Sequence, residues 1–84
     1  MYNIQVSKQV DKFLEKHRDI AKKFIVALEK LGISPFSNNL DIKPLKWKSD
    51  HFRLRIWKYR FLYEIINDEV FIYFYLADSR GDIY

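Results

Sequence analysis

Phe52-Arg53-Leu54-Arg55-Ile56-Trp57-Lys58-Tyr59-Arg60-Phe61-Leu62-Tyr63 alternates apolar and basic side chains, breaks at Trp57-Lys58, and then alternates again. A period of two on both sides of a two-residue break is the pattern of a β-hairpin. With Trp57 and Lys58 as the turn, residues whose numbers sum to 115 face each other. Phe52, Leu54 and Ile56 then meet Tyr63, Phe61 and Tyr59 on one apolar face, which other elements must cover. The opposite face sets Arg53 against Leu62 and Arg55 against Arg60. The turn has neither glycine nor asparagine, so its type stays open.

Upstream, Tyr2, Ile4 and Val6 alternate with Met1, Asn3 and Gln5, the period of a half-buried strand. Ser7 offers a side-chain cap to a helix whose apolar positions are Val10, Phe13 and Leu14. His17-Arg18-Asp19 reads as a joint, with Asp19 placed to cap a second helix. That helix carries Ile20, Phe24, Leu28 and Leu31 at steps of four, four and three. Gly32 is expected to stop it, and Ser34-Pro35 forbids continuation. Between Phe36 and Lys48 the polar residues and Pro44 indicate a surface loop.

Downstream, His51–Ile56, Tyr59–Ile66 and Val70–Ala77 read as three strands. A two-residue turn at Asn67-Asp68 sends Ile72, Phe74 and Leu76 into the core. Phe71, Tyr73 and Tyr75 then share the arginine face, with Tyr75 opposite Arg60; a three-residue loop would reverse these faces. The expected order is β-α-α-β-β-β over residues 1–84 as one domain. This is an α+β fold with a mainly antiparallel four-stranded sheet and two N-terminal helices packed on one face.

Composition narrows the function. The chain has no cysteine and only two histidines, His17 and His51, so neither a disulfide framework nor a structural zinc site is expected, and no cofactor is implied. No apolar run approaches the roughly 20 residues that span a bilayer, and no signal peptide is read at the start; a cytoplasmic protein without a membrane partner is the expectation. Within Lys43–Arg60 seven basic residues (Lys43, Lys46, Lys48, Arg53, Arg55, Lys58, Arg60) stand against Asp50 alone, a charge of +6 in a chain whose net charge is +4. Such a localised patch points to a polyanion. Opposed like charges cost up to roughly 1 kcal/mol, so Arg55 beside Arg60 calls for a nearby carboxylate or an external anion. RNA phosphate is the economical choice. Aromatic rings beside guanidinium groups suit unpaired, stacked bases; the same rings could equally cover a minor apolar cluster.

The hairpin from Phe52 to Tyr63 resembles the signature of the RelE/ParE toxin superfamily. So do Lys43-Pro44-Leu45-Lys46, similar to that family's basic loop, and Ser79-Arg80-Gly81-Asp82-Ile83-Tyr84, similar to its closing His-Arg-x-x-Val-Tyr. Ser79 stands where many members have histidine, and Trp57 where many have glycine. The pattern is closest to the RelE-like mRNA interferases. That resemblance implies a toxin of a toxin–antitoxin system that enters the ribosomal A site and cuts mRNA without a metal. Attack of a ribose 2′-OH on the adjacent phosphate would leave a 2′,3′-cyclic phosphate and a 5′-OH. By resemblance, Arg53 and Arg55 take the two basic strand positions, Arg60 clamps the scissile phosphate, Arg80 assists the leaving oxygen, and Tyr84 orients or stacks on the nucleotide. Lys43, Lys46, Lys48, Lys58 and Tyr75 are the expected RNA contacts.

Arginine, with a pKa above about 12, is a poor general base. The base is therefore sought in Tyr84, in the imidazole of His51, or in the ribosome. The implied partners are a cognate antitoxin, mRNA and the ribosome, with operator DNA reached only through the antitoxin complex. Two alternatives share the scaffold. One is a ParE-like inhibitor of DNA gyrase, and the other is a degenerate toxin that only binds antitoxin or operator.

Overall fold

The computed structural model describes residues 3–33, 39–66 and 71–79. Its order is β1 (Asn3–Val6), α1 (Lys8–Lys16), α2 (Arg18–Ile33), β2 (Asp41–Pro44), β3 (His51–Ile56), β4 (Tyr59–Ile66) and β5 (Phe71–Asp78). The strands form one sheet ordered β1-β5-β4-β3-β2, antiparallel except for β1, which runs parallel to β5. The sheet is thus five-stranded and mixed where a four-stranded one was expected. The added strand is β2, within the stretch read as loop. Four residues are too few to display a period, and Pro44 argues against a central strand. An edge strand tolerates that proline, and Ile42 opposite Leu54 supplies the apolar contact.

The hairpin forms as its alternation dictates, with Phe52 opposite Tyr63, Leu54 opposite Phe61, and Arg55 opposite Arg60. Trp57 has φ 58°, and the second turn residue Lys58 does not share a positive φ, the sign pattern of a type II′ turn.

The β4–β5 pairing departs from expectation in two ways. Ile66 faces Phe71, so four residues, not two, connect the strands, and Ile72 faces Ile65. An even change in loop length preserves the faces, so Ile72 and Phe74 are buried as expected. A bulge between Leu62 and Tyr63 then shifts the register, so that Leu76 faces Leu62 and Ala77, not Leu76, enters the core opposite Phe61. Arg60 consequently faces Asp78 rather than Tyr75. No glycine marks this bulge, which is why the sequence conceals it.

Beyond Phe74, β5 outruns β1, and the first turn of α1 takes over its free edge. The Ser7 hydroxyl donates to the Tyr75 carbonyl (3.2 Å) and accepts from Val10 N–H as the helix cap (3.2 Å). The Gln9 amide both donates to the Ala77 carbonyl and accepts its N–H, each at 2.8 Å. His17 ends α1, and its carbonyl accepts from Ile20 and Ala21, so α2 starts at Arg18 with Asp19 inside its first turn, not as the cap. Gly32 does not stop α2, which runs to Ile33, and it is buried within the helix.

Both helices cover the apolar face. Ile20, Phe24, Ala27 and Leu31 of α2 and Val10 of α1 join Leu54, Phe61, Tyr63, Ile72 and Phe74 in one core. Phe24 stacks on Phe61 at 4.5 Å and meets Phe74 edge-on at 5.0 Å. His17 stacks on Phe13 at 4.2 Å and bonds its carbonyl through Nδ1, a packing role. Among the described residues no helix is long and apolar enough to cross a membrane.

Candidate nucleic-acid interface

The face away from the helices is built of three rows running across the strands. At the turn end, Asp41, Arg55, Arg60 and Asp78 stand in line from β2 to β5. The next row is Lys43, Arg53, Leu62 and Leu76, and the third is His51, Glu64 and Tyr73 with Gln5 of β1.

In the first row the two arginines are flanked at the Cα level by one carboxylate on each side. Carboxylates on the neighbouring strands thus flank the like-charged pair, although Asp41 directs its own carboxylate to Arg53. Both guanidinium groups lean toward the turn. Arg55 Nε donates to the Trp57 carbonyl at 2.9 Å, and Arg60 Nη1 donates to the Lys58 carbonyl at 3.2 Å. Arg55 is exposed and Arg60 half-buried, with its Nε buried and without a hydrogen-bond partner. A pair of cations held by backbone carbonyls at the turn end of the sheet is preorganised to receive an oxyanion. Lys58 extends this end, its Nζ lying 4.9 Å from the centre of the Trp57 ring.

Arg53 behaves differently from its neighbour two positions on. It is only 4 % exposed, and its Nη2 donates to Asp41 Oδ1 at 3.0 Å. The residues between β2 and β3 fold over it. The Leu45 amide bonds the His51 carbonyl at 2.9 Å, Leu45 is buried, and Asp50 adopts φ 61° to make the bend. Lys43, Lys46 and Lys48 remain exposed around this cover. Asp41 is not legible in the sequence as a partner of Arg53, because four residues ending in Pro44 show no strand period. Two apolar residues, Leu45 and Trp47, placed inside a basic loop were the available signal.

His51 lies in the third row, four strand residues from Arg55, or about 13 Å. Its Nε2 is 3.5 Å from Glu64 Oε2, and its Nδ1 is 2.9 Å from the Tyr75 hydroxyl. Burial first, and then the Glu64 carboxylate, push the Tyr75 phenol above its ordinary pKa. The structure thus brings His51 together with Glu64, as the pairing requires, and with Tyr75. It does not bring His51 or Tyr75 to the Arg55–Arg60 pair, whose guanidinium groups point to the opposite end. Arg80 and Tyr84 lie outside the described residues.

No family model and no curated protein matches the sequence. Solved structures do. The chain superimposes on the RelE–RelB complex of Pyrococcus horikoshii with a TM-score of 0.82 at 24 % identity, covering 96 % of this chain and 97 % of that one. The RelB–RelE antitoxin–toxin complex of Methanococcus jannaschii gives 0.74 at 29 % identity, with 94 % and 93 % covered. The isolated RelE toxin of Escherichia coli gives 0.66 at 18 %, with 100 % and 92 % covered.

The chain has the RelE toxin fold. More than nine-tenths of each chain is covered in these superpositions, and the resemblance carried by the hairpin and by the flanking basic segment is borne out at the level of the fold. Three local features of this chain are a tryptophan at the positive-φ turn position, a buried arginine beside the β2–β3 segment, and a histidine tied to Tyr75.

Proposed function

We propose that the protein is the toxin of a toxin–antitoxin pair and acts in the cytoplasm as a metal-independent endoribonuclease that cuts mRNA on the ribosome. The observation that carries this reading is the Arg55–Arg60 pair, set opposite each other on β3 and β4 at the turn end of the sheet, with both guanidinium groups anchored to turn carbonyls. Charge builds on the phosphate as the 2′-OH attacks, and two fixed cations stabilise that charge without reorganising. Arg60 clamps the phosphate, Arg55 adds electrostatic stabilisation, and Lys58 with Lys43, Lys46 and Lys48 holds the flanking backbone. Arg80 and Tyr84 are assigned leaving-group assistance and nucleotide orientation by resemblance alone. Arg53, tied to Asp41, serves better as a support for the basic edge than as a direct ligand.

The antitoxin is the second proposed partner, in keeping with the RelB complexes of the structural neighbours. A groove of about 540 Å³ beside α2 combines Lys22, Lys23, Lys30 and Arg55 with the apolar Val26 and Ile56. It fits an acidic amphipathic segment, which would cover Arg55 directly.

The test is brief expression in a bacterial host with mapping of new 5′-OH ends, beside an Arg55→Ala, Arg60→Ala double variant. In-frame cuts in translated messages that vanish in the variant are expected. Growth arrest without such ends, accompanied by DNA-damage signalling, would replace this reading with inhibition of gyrase.

A further inference from the structure

Trp57 sits where the β3–β4 turn bends through φ 58°, in the left-handed region that a bulky side chain rarely enters. The indole gains little from its place. It is 63 % exposed, and its ring contacts among the described residues are Tyr59, edge-on at 5.8 Å, and the neighbouring Lys58. Glycine would relieve the backbone, and a polar side chain would avoid the exposed apolar surface. Strained residues of this kind cluster at ligand sites, and this one has the anion site beside it. The Trp57 carbonyl accepts from Arg55 Nε at 2.9 Å, and the Lys58 carbonyl accepts from Arg60 Nη1 at 3.2 Å. The backbone that orients the two guanidinium groups therefore also carries the indole.

Lys58 Nζ lies over that ring at 4.9 Å from its centre, and among the described residues it pairs with no carboxylate. An exposed cation–π contact is weaker than a base stacked on an aromatic ring. A phosphate is also a better partner for an ammonium group than an indole is. A bound nucleotide can therefore make both exchanges at once. We propose that Trp57 is the stacking platform for the RNA base next to the phosphate held by Arg55 and Arg60, and that it sets which base is preferred there. The base takes the place of Lys58 on the indole, and the released ammonium turns to the phosphate. Purines, with the larger π-face, are favoured over pyrimidines. This assignment rests on the RNA reading of the arginine pair and deepens it.

Trp57→Gly suits the backbone angle, keeps the carbonyl that holds Arg55 and deletes the ring alone, while Trp57→Tyr keeps an aromatic face. In a Trp47→Phe background Trp57 is the one tryptophan. The trinucleotides ApApA and UpUpU, made uncleavable by 2′-O-methyl sugars, are expected to quench its emission saturably, ApApA at the lower concentration. Calorimetry on the chain with Trp47 intact should show Trp57→Gly weakening ApApA roughly 5- to 100-fold, the value of one base–aromatic stack. The same change should remove the difference between the two trinucleotides, and Trp57→Tyr should restore most of both. This comparison decides the matter should Trp47→Phe not fold. On translating ribosomes, Trp57→Gly should flatten the base preference of cutting. No saturable binding of ApApA up to about 10 mM, equal affinity of the parent and Trp57→Gly chains, or quenching only by an acidic peptide would overturn the proposal. Equal affinity with in-frame cuts intact would remove the platform and leave the nuclease reading standing. Quenching by trinucleotides in a chain that cuts no message would keep the platform and remove the nuclease reading.

Discussion

Arg53 and Asp41 form an ion pair with two unlike ends: the guanidinium is almost wholly buried at 3.0 Å from a carboxylate whose side chain is 51 % exposed. Removing one partner of a fully buried pair costs roughly 3–5 kcal/mol because the other charge is stranded. Here water can approach from the Asp41 side, which discounts that cost. Asp41→Asn is therefore expected to lower the free energy of unfolding in urea by about 2 kcal/mol, while Lys43→Ala on the same strand should stay within about 0.5 kcal/mol. An Asp41→Asn chain as stable as the parent would mean that the arginine is satisfied without its carboxylate.

Trp57 occupies the first position of the β3–β4 turn at φ 58°. A side chain there meets its own backbone, at about 1–2 kcal/mol for a residue other than glycine. Trp57 also touches Tyr59 edge-on at 5.8 Å and lies under Lys58, contacts that any truncation loses. Comparing Trp57→Gly with Trp57→Ala cancels that loss and isolates the backbone. The glycine chain is expected to be more stable than the alanine chain by about 1 kcal/mol, read from urea midpoints at constant slope. The reverse order would show that the turn relaxes when the indole is removed.

The hairpin within the chain's basic region is legible to the residue because period and break are both local signals. Opposing Arg55 to Arg60 needed nothing beyond counting from Trp57-Lys58. Features that depend on partners distant in the chain were hidden. Pro44 masked an edge strand whose existence is decided by pairing with β3. The bulge that moves Ala77 inward carries no glycine, and the amide of Gln9 satisfies Ala77 from the other end of the chain. Arg53 and Arg55 are equivalent in sequence, both strand arginines on one face. Only the cover formed by Leu45 separates a buried support from an exposed ligand.

Alkaline pH acts on two tyrosines. Burial pushes the Tyr63 phenol far above its ordinary value, and burial with Glu64 raises Tyr75. In the unfolded chain both ionise near pH 10, while the folded chain keeps their protons. Their contribution is fully present below that pH and is lost as pH rises through the folded values, because the unfolded state then binds fewer protons. Stability should thus fall above about pH 10, and Tyr63→Phe should flatten the fall more than Tyr75→Phe. Tyr63→Phe should also be neutral or stabilising by up to about 1 kcal/mol at pH 7, since its hydroxyl is buried without a partner. A marked loss of stability at neutral pH would show that the hydroxyl has a bond this arrangement lacks.

The three-row face separates two kinds of side chain that the sequence had placed in one site. Arg55 and Arg60 bend toward the turn, while His51 is held by Tyr75 at 2.9 Å and faces Glu64 at the far end. If cleavage occurs on the arginine pair, Arg60→Ala should lower cutting by about 10²–10³-fold, the usual loss when one fixed donor to an oxyanion is removed. Arg60→Lys should recover part of this, since it keeps the charge but not the fork. His51→Ala should cost less than about 10-fold, because a general base must stand within hydrogen-bond reach of its proton and His51 is about 13 Å from Arg55 along the backbone of the strand. Rates of a single defined cut on stalled ribosomes, beside melting curves for each variant, provide the comparison. A His51→Ala chain that melts like the parent yet cuts as poorly as Arg60→Ala would move the reacting phosphate to the middle of the sheet, within reach of the histidine.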